Sequence, residues 1–179
     1  MKIKKIVVGS LKTNCYFLIS GDEMAIVDPG DEPEKILAEI RKTKVKVKYI
    51  ILTHYHFDHI LAAERLKKET RAKILIHEAD KNFLKFTADQ YLKENDKIKI
   101  GNESLKVIHN PGHSKGSISL LGDNKIFVGD FLFKEGYGRT DLEGGSDKEM
   151  KESLKKISRI LKSGITVYPG HGQVFKFKN

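Results

Sequence analysis

The sequence has few of the residues that build disulfide scaffolds or membrane spans. Among its 179 residues there is one cysteine, Cys15, which excludes a disulfide framework within the chain and is typical of a reducing compartment. The apolar runs, such as YIIL and AIV, are far too short to cross a bilayer. The early apolar stretch reaches only from Ile6 to Gly9, too short for the core of a signal peptide. We therefore expect a cytoplasmic protein with no membrane partner.

The composition is that of a globular protein. The chain is 39% hydrophobic and 32% charged, which argues against disorder, and its length predicts one domain spanning residues 1–179. The net charge of +9 comes mainly from lysine. It indicates either an anionic partner, such as a nucleic acid or an acidic metabolite, or lysines on the solvated faces of helices. The second interpretation is favoured by KKET and KESLKKISRILK, and we expect no nucleic-acid partner.

The apolar pattern predicts alternating strands and helices. The predicted strands are residues 2–9, 13–20, 24–28, 47–52, 73–77, 97–100, 105–109, 117–121, 125–128 and 165–168. Helices are predicted after Asp31 as N-cap, over residues 59–68 and 78–86, and after Ser146. The last of these repeats apolar residues at helical spacing and is expected to end at Gly164. Early strands with interspersed helices indicate two sheets packed face to face with helices outside.

A polar cluster follows one of the apolar strands directly. In ILTHYHFDHI the strand leads into His54, His56, Asp58 and His59. Three imidazoles and a carboxylate gain nothing from burial at a strand end, because each needs a partner once it is desolvated. The cluster is therefore either a solvated polar turn or a set of ligands around a charged group.

Three other strands end in the same way. VIHNPGH places His113 after a strand and a Pro-Gly turn, IFVGD places Asp130 after a strand and a glycine, and TVYPGH places His171 after a second Pro-Gly turn. Five of the seven histidines follow this pattern. Strand ends of one sandwich can meet at one rim, where loops on a rigid scaffold carry function.

Five histidines and two aspartates are a suitable ligand set for metal ions. Imidazole and carboxylate suit zinc, iron or manganese, and seven ligands suffice for two ions if one carboxylate bridges them. Taken singly, the residues have simpler interpretations: Asp58 is typical of a helix N-cap, and His113 or His171 of a turn histidine. The joint pattern favours a centre of two divalent metal ions, with zinc preferred and iron or manganese as alternatives.

The motifs THYHFDH, NPGHSKGS, FVGD and YPGHG, in this order, resemble those of the metallo-β-lactamase-fold hydrolases. The resemblance covers nearly the whole chain and implies an α/β fold, a four-layer α/β/β/α sandwich. It implies a first metal held by His54, His56 and His113. It implies a second metal held by Asp58, His59 and His171, with Asp130 as the bridge and Asp58 and Asp130 as the catalytic carboxylates. Asp28 in IVDPG matches an aspartate that orients the histidines; otherwise it is a turn residue before a proline.

TNCYFL and GYGRTDL are most similar to the glyoxalase II-like branch, which hydrolyses thioesters such as S-lactoylglutathione. The substrate implied is a small anionic thioester, with Lys134, Tyr137 and Arg139 as substrate-binding candidates and Tyr55, Phe57 and Tyr137 as candidates for the pocket wall. Two departures limit the resemblance. The helical domain that binds glutathione in the family does not follow His171, and its Lys-x-Tyr contact is not clearly present.

Other functions remain open at this point. GRTD also occurs in the persulfide dioxygenases of this fold, which would use one iron held by His54, His56 and Asp130. Nucleases of the fold carry large insertions or extra domains absent here. Antibiotic hydrolysis is disfavoured because the common lactamases of the fold place a cysteine at the second metal site, whereas the only cysteine here, Cys15, is far upstream in the sequence. Arg139 either contacts an anionic substrate or pairs with Asp141 to fix its loop. His77 and His109 lie outside the ligand pattern and are interpreted as surface or strand-end histidines.

Overall fold

Two six-stranded sheets form the centre of the computed structural model, which describes residues 1–178. The first sheet follows chain order and contains β1 (Lys2–Val8), β2 (Thr13–Ser20), β3 (Glu23–Val27), β4 (Lys46–Ile51), β5 (Lys73–His77) and β6 (Gln90–Leu92). The remaining strands are β7 (Lys97–Ile100), β8 (Glu103–His109), β9 (Ile118–Leu121), β10 (Lys125–Gly129), β11 (Leu132–Phe133), β12 (Gly136–Tyr137), β13 (Thr166–Pro169) and β14 (Phe175–Lys176). The second sheet runs in the order β14-β13-β10-β9-β8-β7, and β11 pairs only with β12.

Residues 1–178 also form four α-helices and one 3-10 helix. They are α1 (Pro33–Arg41), α2 (Phe57–Ile60), α3 (Ala63–Thr70), the 3-10 helix Glu78–Phe83 and α4 (Asp147–Ser158). None of the helices described for residues 1–178 combines the length and the apolar character that a membrane crossing requires.

The side chains alternate along the strands, so the core consists of three hydrophobic clusters. On β2, Phe17 packs with residues of α1 and α3, whereas Tyr16 and Leu18 point to the opposite face and pack between the two sheets. A third cluster joins the outer face of the second sheet to Met150 and Ile157 of α4. The result is a four-layer α/β/β/α sandwich, which confirms the predicted fold class.

The strand directions bring the predicted ligands to one edge of the sandwich. β3, β4 and β5 are parallel, and so are β10 and β13. β8 and β10 are each antiparallel to β9, so β8 also runs in the direction of β10. His113, Asp130 and His171, which follow β8, β10 and β13, therefore leave the second sheet at the same edge.

The structure corrects several predicted elements. Asp31 is not the N-cap of α1, because Glu32 takes that position in a left-handed conformation while Asp31 accepts a hydrogen bond from the Glu32 amide at 2.7 Å. The helix predicted over residues 59–68 is two helices, α2 and α3, and the one over 78–86 is a 3-10 helix that ends at Phe83. Helix α4 begins after Ser146 as predicted but ends at Ser158, well before Gly164.

Candidate metal centre

Three histidines form one group at the edge of the sheets. His54 and His56 follow β4, and His113 follows β8; one ring nitrogen from each lies within 4.8 Å of the others. His56 Nδ1 lies 2.9 Å from His113 Nε2. His113 Nδ1 lies 2.7 Å from the carbonyl oxygen of Arg139, to which it donates its hydrogen. This hydrogen bond fixes the tautomer and leaves Nε2 of His113 free to act as a ligand.

A second group contains Asp58, His59 and His171, again with one ligand atom each within 4.8 Å. His171 Nε2 is 3.2 Å from Asp58 Oδ2 and 3.3 Å from Asp130 Oδ2. His59 Nε2 is 3.3 Å from Asp130 Oδ1. Asp130 Oδ2 also lies 3.7 Å from His113 Nε2, so this carboxylate contacts both groups. This central position is the one that a bridging carboxylate requires.

The histidines of the first group are held neutral. Burial lowers the pKa of His54 far below its ordinary value and lowers that of His113. Burial, reinforced by His113, lowers the pKa of His56 to about 4. Neutral imidazole is the form that binds metal ions, so these three side chains are ready to act as ligands at neutral pH.

The second group is charged instead. Burial alone would lower the pKa of His171, but hydrogen bonds from its ring to Asp130 and Asp58 raise it to about 9. Burial also opposes protonation of His59, yet Asp130 and Asp28 hold its pKa well above the ordinary range. Burial raises the pKa of Asp130, but His59, His171 and His54 together outweigh burial and keep that pKa well below its usual value. The protonated rings of His59 and His171 therefore supply the positive charge that balances the carboxylates of this group.

The residues fit metal ions on structural grounds. Nε2 of His54 and Nε2 of His56 are buried and have no hydrogen-bond partner among residues 1–178. Oδ1 of Asp130 is likewise buried without a well-aligned donor. Buried polar atoms without partners are costly and rare in folded proteins. His54 and Asp130 belong to one group of candidate ligands, whose ligand atoms lie within 4.8 Å of one another, whereas His56 faces His113 through Nδ1. A cation in this cluster would satisfy the buried atoms of His54 and Asp130, and borderline imidazole and carboxylate ligands suit zinc, iron or manganese.

Asp28 supports the histidine segment from beneath. It is buried, adopts a left-handed conformation with φ of 51°, and accepts hydrogen bonds from the amide and the hydroxyl of Thr53 at 2.8 Å and 2.7 Å. Its Oδ2 also lies 3.0 Å from His59 Nδ1. Such a contact fixes the ring so that Nε2 faces the other ligands.

The start of β2 holds the loop that carries His171. Asn14 donates from Nδ2 to the carbonyl oxygens of Pro169 and Gly172 at 2.9 Å and 3.1 Å, and the Tyr16 hydroxyl donates to Pro169 at 2.6 Å. Thr13 donates to Asp58 Oδ2 at 2.9 Å. The motif TNCYFL therefore connects a strand of the first sheet with a ligand loop of the second.

Two glycines are required by the close approach of these loops. A Cβ at Gly170 would lie 2.2 Å from Asp130 Oδ1 and 2.6 Å from a ring carbon of His59. Gly129 has φ of +52°, and a Cβ there would meet the Thr53 hydroxyl at 2.3 Å. Any side chain at these positions would displace a predicted ligand or its support.

Asp80 was not predicted, yet it joins two ligand loops. Its carboxylate is fully buried and accepts hydrogen bonds from the Tyr55 amide at 3.1 Å, the Ser114 hydroxyl at 2.8 Å and the Gly116 amide at 2.6 Å. Tyr55 lies between His54 and His56, and Ser114 follows His113. Burial raises the pKa of Asp80 despite these hydrogen bonds. In the sequence nothing distinguishes Asp80 from the neighbouring solvated Glu78.

The predicted substrate residues are more scattered than the ligands. Arg139 lines the cleft above the ligands but forms a two-pronged ion pair with Asp141, both contacts at 2.7 Å. Lys134 lines an adjoining hollow together with His171 and lies 3.4 Å from Gln173 Oε1. Tyr137 lies in a separate hollow, so it is not part of the cleft wall, whereas Tyr55 and Phe57 are.

The two histidines outside the ligand set are both at strand ends, as interpreted from the sequence. His77 ends β5, His109 ends β8, and their rings stack with centroids 3.9 Å apart. His77 is not a surface residue, however, because it is buried and its Nδ1 accepts a hydrogen bond from the Ala79 amide at 3.3 Å.

Five imidazoles and two carboxylates lie together at the edge of an α/β/β/α sandwich, which is the arrangement of a metal-dependent enzyme of the metallo-β-lactamase type. The Metallo-beta-lactamase superfamily matches residues 8–171, and the chain belongs to this family. The resemblance drawn from the sequence motifs is thereby confirmed.

Two curated relatives cover almost the whole chain. The probable metallo-hydrolase YqgX of Bacillus subtilis is 33% identical over an alignment of 191 positions. The alignment covers 96% of this chain and 90% of the relative. The hydroxyacylglutathione hydrolase GloC of Haemophilus influenzae is 32% identical over an alignment of 194 positions. The alignment covers 96% of this chain and 91% of the relative.

Two solved structures are similar over nearly their full length. BLEG-1, a B3 metallo-beta-lactamase, superposes with a TM-score of 0.92 at 29% identity, covering 98% of this chain and 94% of that one. TTHA1623 in a di-iron-bound form has a TM-score of 0.84 at 30% identity, and the superposition covers 97% of this chain and 94% of that one.

Proposed function

We propose that the protein is a dinuclear metal-dependent hydrolase of acyl thioesters, such as S-lactoylglutathione or a related compound. The observation that carries the proposal is the convergence of seven ligand side chains in two groups that share Asp130. Similarity to GloC, a hydroxyacylglutathione hydrolase, supports the thioester as substrate. In this proposal His54, His56 and His113 would hold one ion, Asp58, His59 and His171 would hold the other, and Asp130 would be shared by both.

When bound, two divalent ions supply a hydroxide nucleophile at neutral pH and polarise the carbonyl group under attack. The chain orients its own ligands for this purpose. Asp28 and the Arg139 carbonyl fix the rings of His59 and His113, so that their Nε2 atoms face the cleft. Burial raises the pKa of Asp58, but His171 and His59 outweigh it and keep the pKa below its usual value, so the carboxylate is ionised. An ionised Asp58 can accept a proton from an attacking water.

The thiol can leave with little help from the protein. A thiolate is a stable leaving group, so no strong general acid is needed beside the scissile bond. The cleft has a volume of about 470 Å³ and is lined by ligands together with Leu11, Tyr55 and Phe57. A small thioester fits a site of this size.

The test is an anaerobic assay of the zinc-loaded and iron-loaded protein with S-lactoylglutathione and an acetyl thioester. We expect release of free thiol, detected with a colorimetric reagent, and about two metal ions per chain by elemental analysis. A protein that ignores thioesters, carries one iron and consumes oxygen with glutathione persulfide would be a dioxygenase, and the proposal would be wrong.

A parallel assay with a chromogenic β-lactam addresses the similarity to BLEG-1, a B3 metallo-beta-lactamase. We expect slower turnover of the lactam than of the thioester. Faster lactam turnover would reassign the substrate while leaving the metal-dependent hydrolase in place.

A further inference from the structure

An apolar groove adjoins the metal cleft on the side of His56. It has a volume of about 400 Å³ and is lined chiefly by Tyr55, Phe57, Ile60, Leu61, Phe83 and Phe86. We name it the Phe57 groove. His56, Glu64 and Lys85 also line it, so its wall is mainly apolar with three polar side chains.

The groove contains the two most exposed large hydrophobic side chains described for residues 1–178. Phe57 is 61% exposed and Leu61 58%, the highest values among the exposed large hydrophobic side chains. They are four residues apart, joined by a helical hydrogen bond from the Leu61 amide to the Phe57 carbonyl at 3.1 Å, so they share one face of the turn. Contiguous exposed apolar surface of this kind marks a binding site.

The same turn carries metal ligands on its other faces. Asp58 and His59 lie between Phe57 and Ile60 in α2, and both point towards the metal centre. One helical turn therefore presents ligands on one side and an apolar surface on the other. Exposed apolar side chains favour aggregation, so an exposed phenylalanine at this position indicates a role in binding.

The groove is continuous with the cleft. Tyr55, His56 and Phe57 line both spaces. The Tyr55 ring stacks on Phe83 at 4.4 Å, and its hydroxyl donates to the Glu143 carbonyl at 2.6 Å, which fixes the wall between them. A chain attached to a carbonyl at the metal centre can therefore pass His56 and enter the groove.

The opposite side of the centre has a different character. The hollow beside His171 is lined by Lys134, Glu135 and Gln173 together with Phe133 and Gly172. Its lysine, carboxylate and amide side chains suit a polar group. The two sides of the cleft therefore match the two halves of a thioester that joins an apolar acyl group to a polar thiol.

We propose that the Phe57 groove binds the apolar acyl chain of the substrate, and that the enzyme prefers medium-length acyl thioesters of polar thiols. This assignment rests on the proposed thioester hydrolysis and narrows its substrate class. Each methylene buried in the groove should raise kcat/KM by about two- to fourfold until the groove is filled.

The experiment compares acetyl, butanoyl, hexanoyl and octanoyl thioesters of one polar thiol, N-acetylcysteamine, with zinc-loaded protein. We expect kcat/KM to rise along the series in the wild type. Phe57→Ser and Leu61→Ser should each lower the octanoyl-to-acetyl ratio by about tenfold. The control is Tyr91→Ser, because Tyr91 is 39% exposed and is not among the residues that line the groove, the cleft or the hollow. This variant should keep the wild-type ratio.

A crossed series moves the alkyl chain to the thiol, using acetyl thioesters of alkyl thiols. Equal gains with chain length on the thiol side, or equal ratios in Leu61→Ser and the wild type, would overturn the acyl assignment. So would a stable dimer that covers the groove and removes the dependence on chain length.

A binding measurement separates this inference from the proposed function. An S-octyl thioether, which cannot be hydrolysed, should displace the dye 1-anilinonaphthalene-8-sulfonate from the wild type and far less from Phe57→Ser. If no thioester is hydrolysed but displacement depends on Phe57, the hydrolase proposal fails while the apolar-chain site stands. If thioesters are hydrolysed without dependence on chain length and displacement is the same in both proteins, the groove assignment fails alone.

Discussion

The two sheets supply the metal centre in different ways. The first sheet contributes four ligands from one continuous segment, residues 54–59, directly after β4. The second contributes three ligands from three separate strand ends, after β8, β10 and β13. The geometry of the continuous segment depends on local spacing, whereas that of the separate ligands depends on strand order and on contacts between loops. The separate ligands therefore also depend on residues that connect loops distant in the chain.

The largest effect is expected when one ligand is removed from either sheet. His54→Ala, from the continuous segment, and Asp130→Ala, from a separate strand end, should each lower kcat by at least about a thousandfold, because hydroxide formation and carbonyl polarisation depend on the ions. His109→Gln, outside the ligand set, should keep most of the activity. Steady-state kinetics and elemental analysis of the three variants provide the check. Full activity in Asp130→Ala would mean that Asp130 is not a ligand of the centre.

A smaller effect is expected from the residue that connects the two sheets' loops. Asp80→Asn keeps the shape of the side chain but turns an amide donor towards one of the backbone amides of Tyr55 and Gly116, so one hydrogen bond is lost. Loss of such support lowers metal affinity by about 10- to 100-fold. A competition titration of zinc against a chelating dye measures this directly.

Glu78→Gln is the matched control for Asp80→Asn. Glu78 begins the same 3-10 helix, but its side chain is 47% exposed and its partner is Lys93. It should therefore bind zinc like the wild type. Equal zinc affinity in both variants would show that Asp80 supports the fold without positioning the ligands.

The same contrast explains what could be predicted from the sequence. The motif around His54 was recognisable because ligand chemistry and strand-end spacing are local, and the Pro-Gly-His and Gly-Asp turns repeat that pattern. The resemblance built on these motifs gave the four-layer fold. The roles of the ligands stay predictions until metal is measured.

Features that depend on long-range contacts were missed. Asp80 looks like any solvated carboxylate until the fold brings it against Ser114, and Asn14 gains its role only when β2 lies beside the His171 loop. The Phe57 groove needs side chains from two distant helices, so neither segment alone indicates it. The end of α4 was placed too late because Leu161 continues the apolar spacing beyond the helix, packing in the same core cluster from a loop.

A pH effect on stability is expected at His77, away from the centre. Burial and the neighbouring His109 lower the pKa of His77 from 6.5 to about 4, so the folded protein keeps this ring neutral where the unfolded chain protonates it. The free energy of unfolding should therefore fall as the pH drops from about 6.5 to about 4, by up to about 3 kcal/mol from this residue. In His77→Asn this contribution disappears. Urea unfolding at a series of pH values should give a shallower curve for the variant, and parallel curves would contradict the assignment.

The smallest effect is expected at the loop above the cleft, where Arg139 had two interpretations. The structure shows its guanidinium paired with Asp141 through two contacts of 2.7 Å, with both side chains more than half exposed. Exposed ion pairs contribute little, so Arg139→Ala and Asp141→Ala should have nearly equal melting temperatures, and each should change KM for S-lactoylglutathione by less than about threefold.

The comparison of these two variants is what separates loop fixation from substrate binding. If Arg139 only fixes the loop, removing either partner has the same consequence, because the pair is broken in both cases. If Arg139 contacts an anionic substrate group, Arg139→Ala should raise KM, whereas Asp141→Ala should lower it by freeing the guanidinium. KM values measured for S-lactoylglutathione and for an uncharged acetyl thioester, at low and high salt, distinguish the two cases. We expect equal small changes in both variants, because the bidentate pair already occupies the guanidinium.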